Sequence, residues 1–240
     1  MLLTLFQNHH SEGDLGQELV NLFKKWCNFS ECREIFIETF IPFIMQIVEQ
    51  YYKNTPNADN QQKPLSLADG LARLALEESK GPSSQTVDER DGSANEVVDA
   101  SILSHVLDLL CNLLKNSKTD EDKAKVIEVF PQILNYVEKS EDMFLLLNGT
   151  QTLKTFIYLG HKQVLKLSTP EQIIAVCKKL LSPQTNEQSA LCLGNLVIQV
   201  IHKIQPRIDT SLLMCVVQKI YKSRMPSIVQ SLVLIFARLI

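Results

Sequence analysis

Residues 103–137 read LSHVLDLLCNLLKNSKTDEDKAKVIEVFPQILNYV, and this stretch decides the fold class. Leu103, Val106, Leu107, Leu110, Leu113 and Leu114 recur three and four residues apart, and so do Val126, Val129, Phe130, Ile133, Leu134 and Val137. That spacing puts each set on one face of a helix with about 3.6 residues per turn. Between the two runs, Thr119 stands directly before Asp120, Glu121 and Asp122. A hydroxyl that accepts from a free backbone N–H, followed by carboxylates at the positive end of the helix dipole, is a helix start. The stretch therefore reads as two amphipathic helices joined by a turn.

Working outward, the same pattern predicts helices over residues 14–27, 30–52, 101–117, 120–138, 149–164, 170–181, 186–205, 210–223 and 226–240. Thr169 before Pro170 and Glu171, and Asp209 before Leu212, supply further start signals. No alternating strand pattern competes with them. Leu113, Leu153, Leu193 and Leu232 hold comparable places on alternate helices, about 40 residues apart, and Ile133, Ile173 and Leu212 do the same on the helices between. A period of that length carrying two helices is the signature of HEAT and armadillo arrays. The expectation is an all-α, HEAT/ARM-type α-solenoid, a right-handed superhelix of antiparallel helix pairs. Each pair alone leaves an apolar face uncovered, so it is stable only when stacked on its neighbours.

One interval breaks the period. Phe40-Ile41-Pro42-Phe43-Ile44 matches Val129-Phe130-Pro131-Gln132-Ile133 in type, yet the two prolines are about 89 residues apart where two periods would give about 80, with only one complete pair between them. The excess is a polar insertion. We divide the chain into helical repeats over residues 1–52, an insertion over 53–99 rich in Asn, Gln, Ser, Asp and Glu, and further repeats over 100–240. The insertion contains a short amphipathic stretch at 65–76, and residues 77–98 lack periodicity and read as a disordered loop. The final apolar helix runs to Ile240 without a cap or a polar closing face, so the sequence is expected to be a fragment with its C-terminus cut.

Composition agrees with packed helices. Of 240 residues 45% are hydrophobic, only eight are Gly and nine Pro, and aromatics make up 7%. No apolar run approaches the roughly 20 residues that span a bilayer, so membrane insertion is not expected. The N-terminus has no basic region and no small-residue cleavage site. Cys27, Cys32, Cys111, Cys177, Cys192 and Cys215 are scattered singly through helical patterns, as reduced thiols packed as small hydrophobes would be.

The net charge of −3 hides an asymmetry. Residues 1–150 carry 24 Asp or Glu against 13 Lys or Arg, a balance of −11, whereas residues 151–240 carry 3 against 11, a balance of +8. The acidic part should attract basic partners. The basic part, with Lys178, Lys179, Lys203, Arg207, Lys219, Lys222 and Arg224, is read without interleaved aromatics and without a glycine-rich phosphate cradle, so nucleic acid is not an expected partner.

Chemistry is conspicuous by its lack of motifs. The five histidines, His9, His10, His105, His161 and His202, are dispersed, and Cys27 and Cys32 straddle a helix junction rather than sharing a face, so no metal and no cofactor is expected. No nucleophile elbow, Walker loop or dinucleotide fingerprint occurs, and no enzymatic activity is expected. Asn28-Phe29-Ser30 and Asn148-Gly149-Thr150 fit a glycosylation pattern but read better as helix punctuation. Trp26 beside Phe23 reads as core packing.

Several strings are more specific than the period requires. Leu19-Val20-Asn21-Leu22-Phe23-Lys24-Lys25-Trp26, then Cys32-Arg33-Glu34-Ile35-Phe36 and Phe40-Ile41-Pro42-Phe43-Ile44, resemble a late-middle HEAT repeat of the importin-beta superfamily of nuclear transport receptors. Residues 102–117, Val126-Ile127-Glu128-Val129-Phe130-Pro131, the segment 147–154, Leu180-Leu181-Ser182-Pro183-Gln184-Thr185 and residues 228–239 look like its following repeats in the same order. These are packing and turn residues; their collinear order carries the resemblance, and the insertion has no counterpart in it. The resemblance implies a receptor that shuttles between cytoplasm and nucleus, carries basic protein cargo such as histones or ribosomal proteins, meets nucleoporins, and releases cargo under the GTPase Ran, whose binding repeats would lie outside this sequence. No single residue is matched to a cargo contact; Asp120, Glu121, Asp122, Glu141 and Asp142 are the acidic candidates to face it. The competing reading is a HEAT scaffold subunit of another multiprotein complex. For the insertion, amides of residues 77–98 are expected to exchange rapidly and the chain to be cut there first by a non-specific protease; amide protection in the free protein would refute the disorder.

Overall fold

The computed structural model describes residues 13–54, 100–182, 196–204 and 210–239. The chain divides into two units, Met1–Thr55 with Val98–Ile240, and Pro56–Val97, and every described residue belongs to the first. Nine α-helices are described: α1 Gly13–Trp26, α2 Ser30–Asn54, α3 Ala100–Asn116, α4 Asp120–Ile127, α5 Phe130–Lys139, α6 Met143–Leu167, α7 Pro170–Leu181, α8 Thr210–Lys222 and α9 Pro226–Leu239. Residues 196–199 are α-helical and run into a π-helical turn, Val200–Ile204. No strand occurs among the described residues. The expected insertion and loop lie outside them, except that Lys53 and Asn54 still belong to α2.

The helix starts follow from local chemistry. Thr119 Oγ1 accepts from the Asp122 N–H at 3.0 Å, as the sequence suggested. Thr169 and Gln172 form a reciprocal capping box with Pro170 in the first turn. Two expectations are corrected. The helix placed over 120–138 is two, because Pro131 lacks an N–H and its ring conflicts with the carbonyl four residues back, which is that of Ile127, the last residue of α4. The helix placed over 149–164 starts at Met143, because Asp142 Oδ1 accepts from the Leu145 N–H at 2.8 Å. Asn148-Gly149-Thr150 is therefore helix interior rather than punctuation.

The helices form two layers. α1, α3, α6 and the 196–204 segment pack successively on one another, while α2, α4 with α5, α7 and α8 form the second layer against them, and α9 packs on α8. This is an all-α helical-repeat solenoid. The positions that defined the period are its core: Leu113, Leu153 and Leu232 of alternate helices and Ile133, Ile173 and Leu212 of the others are all buried. Leu193 lies outside the described residues. At the α1 and α2 end, Phe23, Phe36 and Phe40 meet edge to face with centroids 4.6 to 5.5 Å apart, and Trp26 stacks on Phe36 at 6.4 Å, as core packing requires.

α6 packs against α3, α4, α5 and the 196–204 segment. Its buried hydroxyls are satisfied internally: Thr150, Thr152 and Thr155 each donate to the carbonyl four residues back, at 2.6, 2.8 and 2.9 Å. Its two glycines are packing devices. A Cβ on Gly149 would collide with Cγ2 of Val137 in α5, and one on Gly160 with Cδ1 of Ile127 in α4. Gly160 also has non-helical backbone angles, φ −147° and ψ 37°, so α6 is kinked there.

Alanine is favoured over glycine in a helix by about 1 kcal/mol, but the branched Val137 cannot swing away, so Gly149→Ala is expected to destabilise the fold by about 1–3 kcal/mol. In a Val137→Ala background the same change should cost much less, and a thermal-unfolding double-mutant cycle measures the difference.

Candidate functional site

The acidic candidates all lie at turns between helices or in the first turn of one. Asp120, Glu121 and Asp122 form the first turn of α4, and Glu141 and Asp142 precede α6. One group opens α4 and the other follows α5, so both helices lie between them in the chain.

They are not alike. Asp142 is partly buried; besides capping α6 it accepts a hydrogen bond from the Tyr51 hydroxyl of α2 at 3.1 Å, tying two repeats together. Asp122 approaches Arg33 Nε at 3.9 Å. Arg33 is itself buried and donates from Nη1 to the Cys27 carbonyl at 3.4 Å, so it links the α1–α2 turn to α4. Glu121 is exposed and pairs with Lys125 one turn on, at 3.7 Å. Asp120 and Glu141 are exposed, and neither has a cation partner among the described residues. A further cross-helix pair joins Lys24 of α1 to Asp108 of α3 at 2.5 Å.

Arg33, Tyr51 and Lys24 had no signature in the sequence. Their partners are 89, 91 and 84 positions away, across the insertion, counting Asp122 from Arg33, Asp142 from Tyr51 and Asp108 from Lys24. Only the fold brings them together.

Cys27, Cys32, Cys111, Cys177 and Cys215 are free thiols. Burial pushes Cys27 and Cys177 up to about 12, so both remain protonated at neutral pH and act as apolar filler. Burial raises Cys111 as well, against hydrogen bonding with Thr152 and Thr155, which lowers it. Among the described residues no group of three or more His, Cys, Asp or Glu could hold a metal ion. No described helix is long and apolar enough to cross a membrane.

The basic half differs from its sequence reading in one respect. Lys203 Nζ lies 6.0 Å from the ring centroid of Tyr158, which is exposed on α6, and the exposed Tyr221 neighbours Lys222 on α8. Aromatics are therefore interleaved with these cations after all, in one case through space rather than along the chain. Lys219 is buried and donates to the Ser182 carbonyl at 2.9 Å between α8 and the end of α7.

Stacked helical pairs joined by polar turns define the class as an all-α helical-repeat protein. Within that class the chain is similar to Importin-9 of Drosophila melanogaster, with 27% identity over 141 residues, which make up 55% of this chain and 14% of that relative. The likeness is to an importin-beta-type receptor, of which the matched stretch spans about a seventh. No protein-family model matches the chain, and no solved structure matches it.

The division of labour among the carboxylates has a measurable consequence. Asp142→Ala removes a cap and an inter-repeat hydrogen bond and is expected to cost about 1–3 kcal/mol in urea unfolding, whereas Asp120→Ala should stay within about 0.5 kcal/mol of the parent.

Proposed function

We propose that this chain is a segment of a nuclear transport receptor that binds basic protein cargo, acting by recognition rather than catalysis. The observation that carries the reading is the similarity to Importin-9 over 141 residues in a chain folded as stacked helical pairs. The charge split supports it: the first 150 residues have a surplus of 11 negative charges, from 24 acids and 13 bases, suited to histones or ribosomal proteins. Of the acidic candidates, Asp120, Glu121 and Glu141 are exposed and suited to face cargo, whereas Asp122 and Asp142 serve the scaffold. On this reading the receptor shuttles between cytoplasm and nucleus and meets nucleoporins. Ran-GTP would act through repeats outside this sequence.

A titration of the chain with a core histone dimer tests the proposal. Binding is expected at low salt and should weaken by about tenfold or more at moderate salt, because exposed charges are screened over roughly 8–10 Å. Asp120→Lys with Glu121→Lys should weaken it further without altering the fold. Absence of binding in both salt conditions, or binding indifferent to these reversals, overturns the proposal.

A further inference from the structure

We propose that the exposed face of α6, with the adjoining π-helical turn, is a docking surface for an acidic protein segment that carries apolar side chains. This surface lies apart from the Asp120–Glu121 turn and is bordered at one end by Glu141, and its partner has the opposite charge to basic cargo.

The face is defined by helical spacing. Phe144, Leu147, Gln151, Lys154 and Tyr158 follow one another at intervals of three and four residues, so they share one side of α6. The apolar members are open to solvent, Phe144 at 48%, Leu147 at 53% and Tyr158 at 58% exposure. Leu145, Leu146, Leu153, Phe156 and Ile157 bury the other side of the same helix, so α6 has two apolar faces and the core uses one. Solvent-exposed apolar side chains grouped on one helix face mark an interaction surface more often than scattered ones do.

Within α6 and residues 196–204 the charge has one sign. α6 contains Lys154, Lys162 and Lys166 and no Asp or Glu, and residues 196–204 contain His202 and Lys203 and likewise no carboxylate. Lys162, Lys166, His202 and Lys203 are exposed. The π-helical turn is a rare geometry, and here it presents Lys203 toward Tyr158 from a different helix, 6.0 Å from the ring centroid. On the neighbouring α3 the exposed Asp108 is paired with Lys24, and Glu141 stands at the N-terminal end of the face.

Charge complementarity selects an acidic partner, and the apolar members select its type. A polynucleotide could engage the lysines and stack on Tyr158, but it would leave Phe144 and Leu147 uncovered. An acidic peptide with interspersed Leu or Phe satisfies both sets at once, its carboxylates on the lysines and its apolar side chains between them.

The test uses the whole chain and a fluorescein-labelled peptide of about 20 residues built from alternating Glu and Leu with two Phe, followed by fluorescence anisotropy. Saturable binding is expected, and Lys154→Glu with Lys203→Glu should weaken it by about tenfold or more. Leu147→Ser with Tyr158→Ser should weaken it to a similar degree. Lys125→Glu, on α4 in the other layer, should leave it unchanged. Circular dichroism verifies that each variant keeps its helices, and these exposed positions allow that. Three results overturn the proposal: no binding by the parent chain, binding insensitive to the α6 changes, or tighter binding of an oligothymidine of about 20 nucleotides than of the peptide.

Discussion

Every helical pair in this protein has an apolar face that nothing inside the pair can cover, and the structure depends on neighbouring pairs coming close enough to cover it. At α6 the approach is close enough to exclude a side chain at two positions. Gly149 and Gly160 leave out the two side chains that would hold it away, and Val137 and Ile127 occupy the space so created. Deep burial on that side follows, with Leu145, Leu153, Phe156 and Val164 all fully enclosed. Truncating any one such side chain in a core typically costs about 2–5 kcal/mol, which is a large share of a domain's net stability.

The polar contacts between repeats are consequences of this stacking rather than its cause. Tyr51 with Asp142, Arg33 with Asp122, and Lys24 with Asp108 join residues far apart in the chain at distances set by how closely the helices pack. Partly exposed ion pairs contribute only about 0–1 kcal/mol, so they select the register of neighbouring repeats more than they stabilise it. They also divide the charged residues into two populations. Those that hold repeats together are committed to a partner, and others, such as Asp120 and Glu141 in one region and Lys154 and Lys203 in another, set what the surface can recognise.

That division changes how the charge asymmetry is understood. Counted along the chain, the protein has an acidic part and a basic part. In the fold, the acidic candidates stand at two separate turns, whereas Lys154 shares one side of α6 with Tyr158 and Lys203 reaches the same ring from the π-helical turn. The two kinds of surface suit different partners, and a solenoid can offer both because each repeat exposes its own turns and outer faces.

The all-α class, the period of about 40 residues and the core positions were legible in the sequence, because apolar spacing and caps such as Thr119 and Thr169 act within one or two helical turns. The break between α4 and α5 was also encoded locally, in Pro131, although similar Pro42 leaves α2 unbroken, so the residue alone could not announce its effect. Gly149 was the most misleading signal. Read along the chain it punctuates, and only the approach of Val137 from another helix makes it an interior contact. Local propensity thus determined which residues form helices and which side of each faces inward. The tertiary structure decided which acids are consumed by Arg33 and Tyr51, that Lys219 is buried, and that Lys203 meets Tyr158. Those outcomes depend on distances between helices, which no sequence spacing within a single helix can specify.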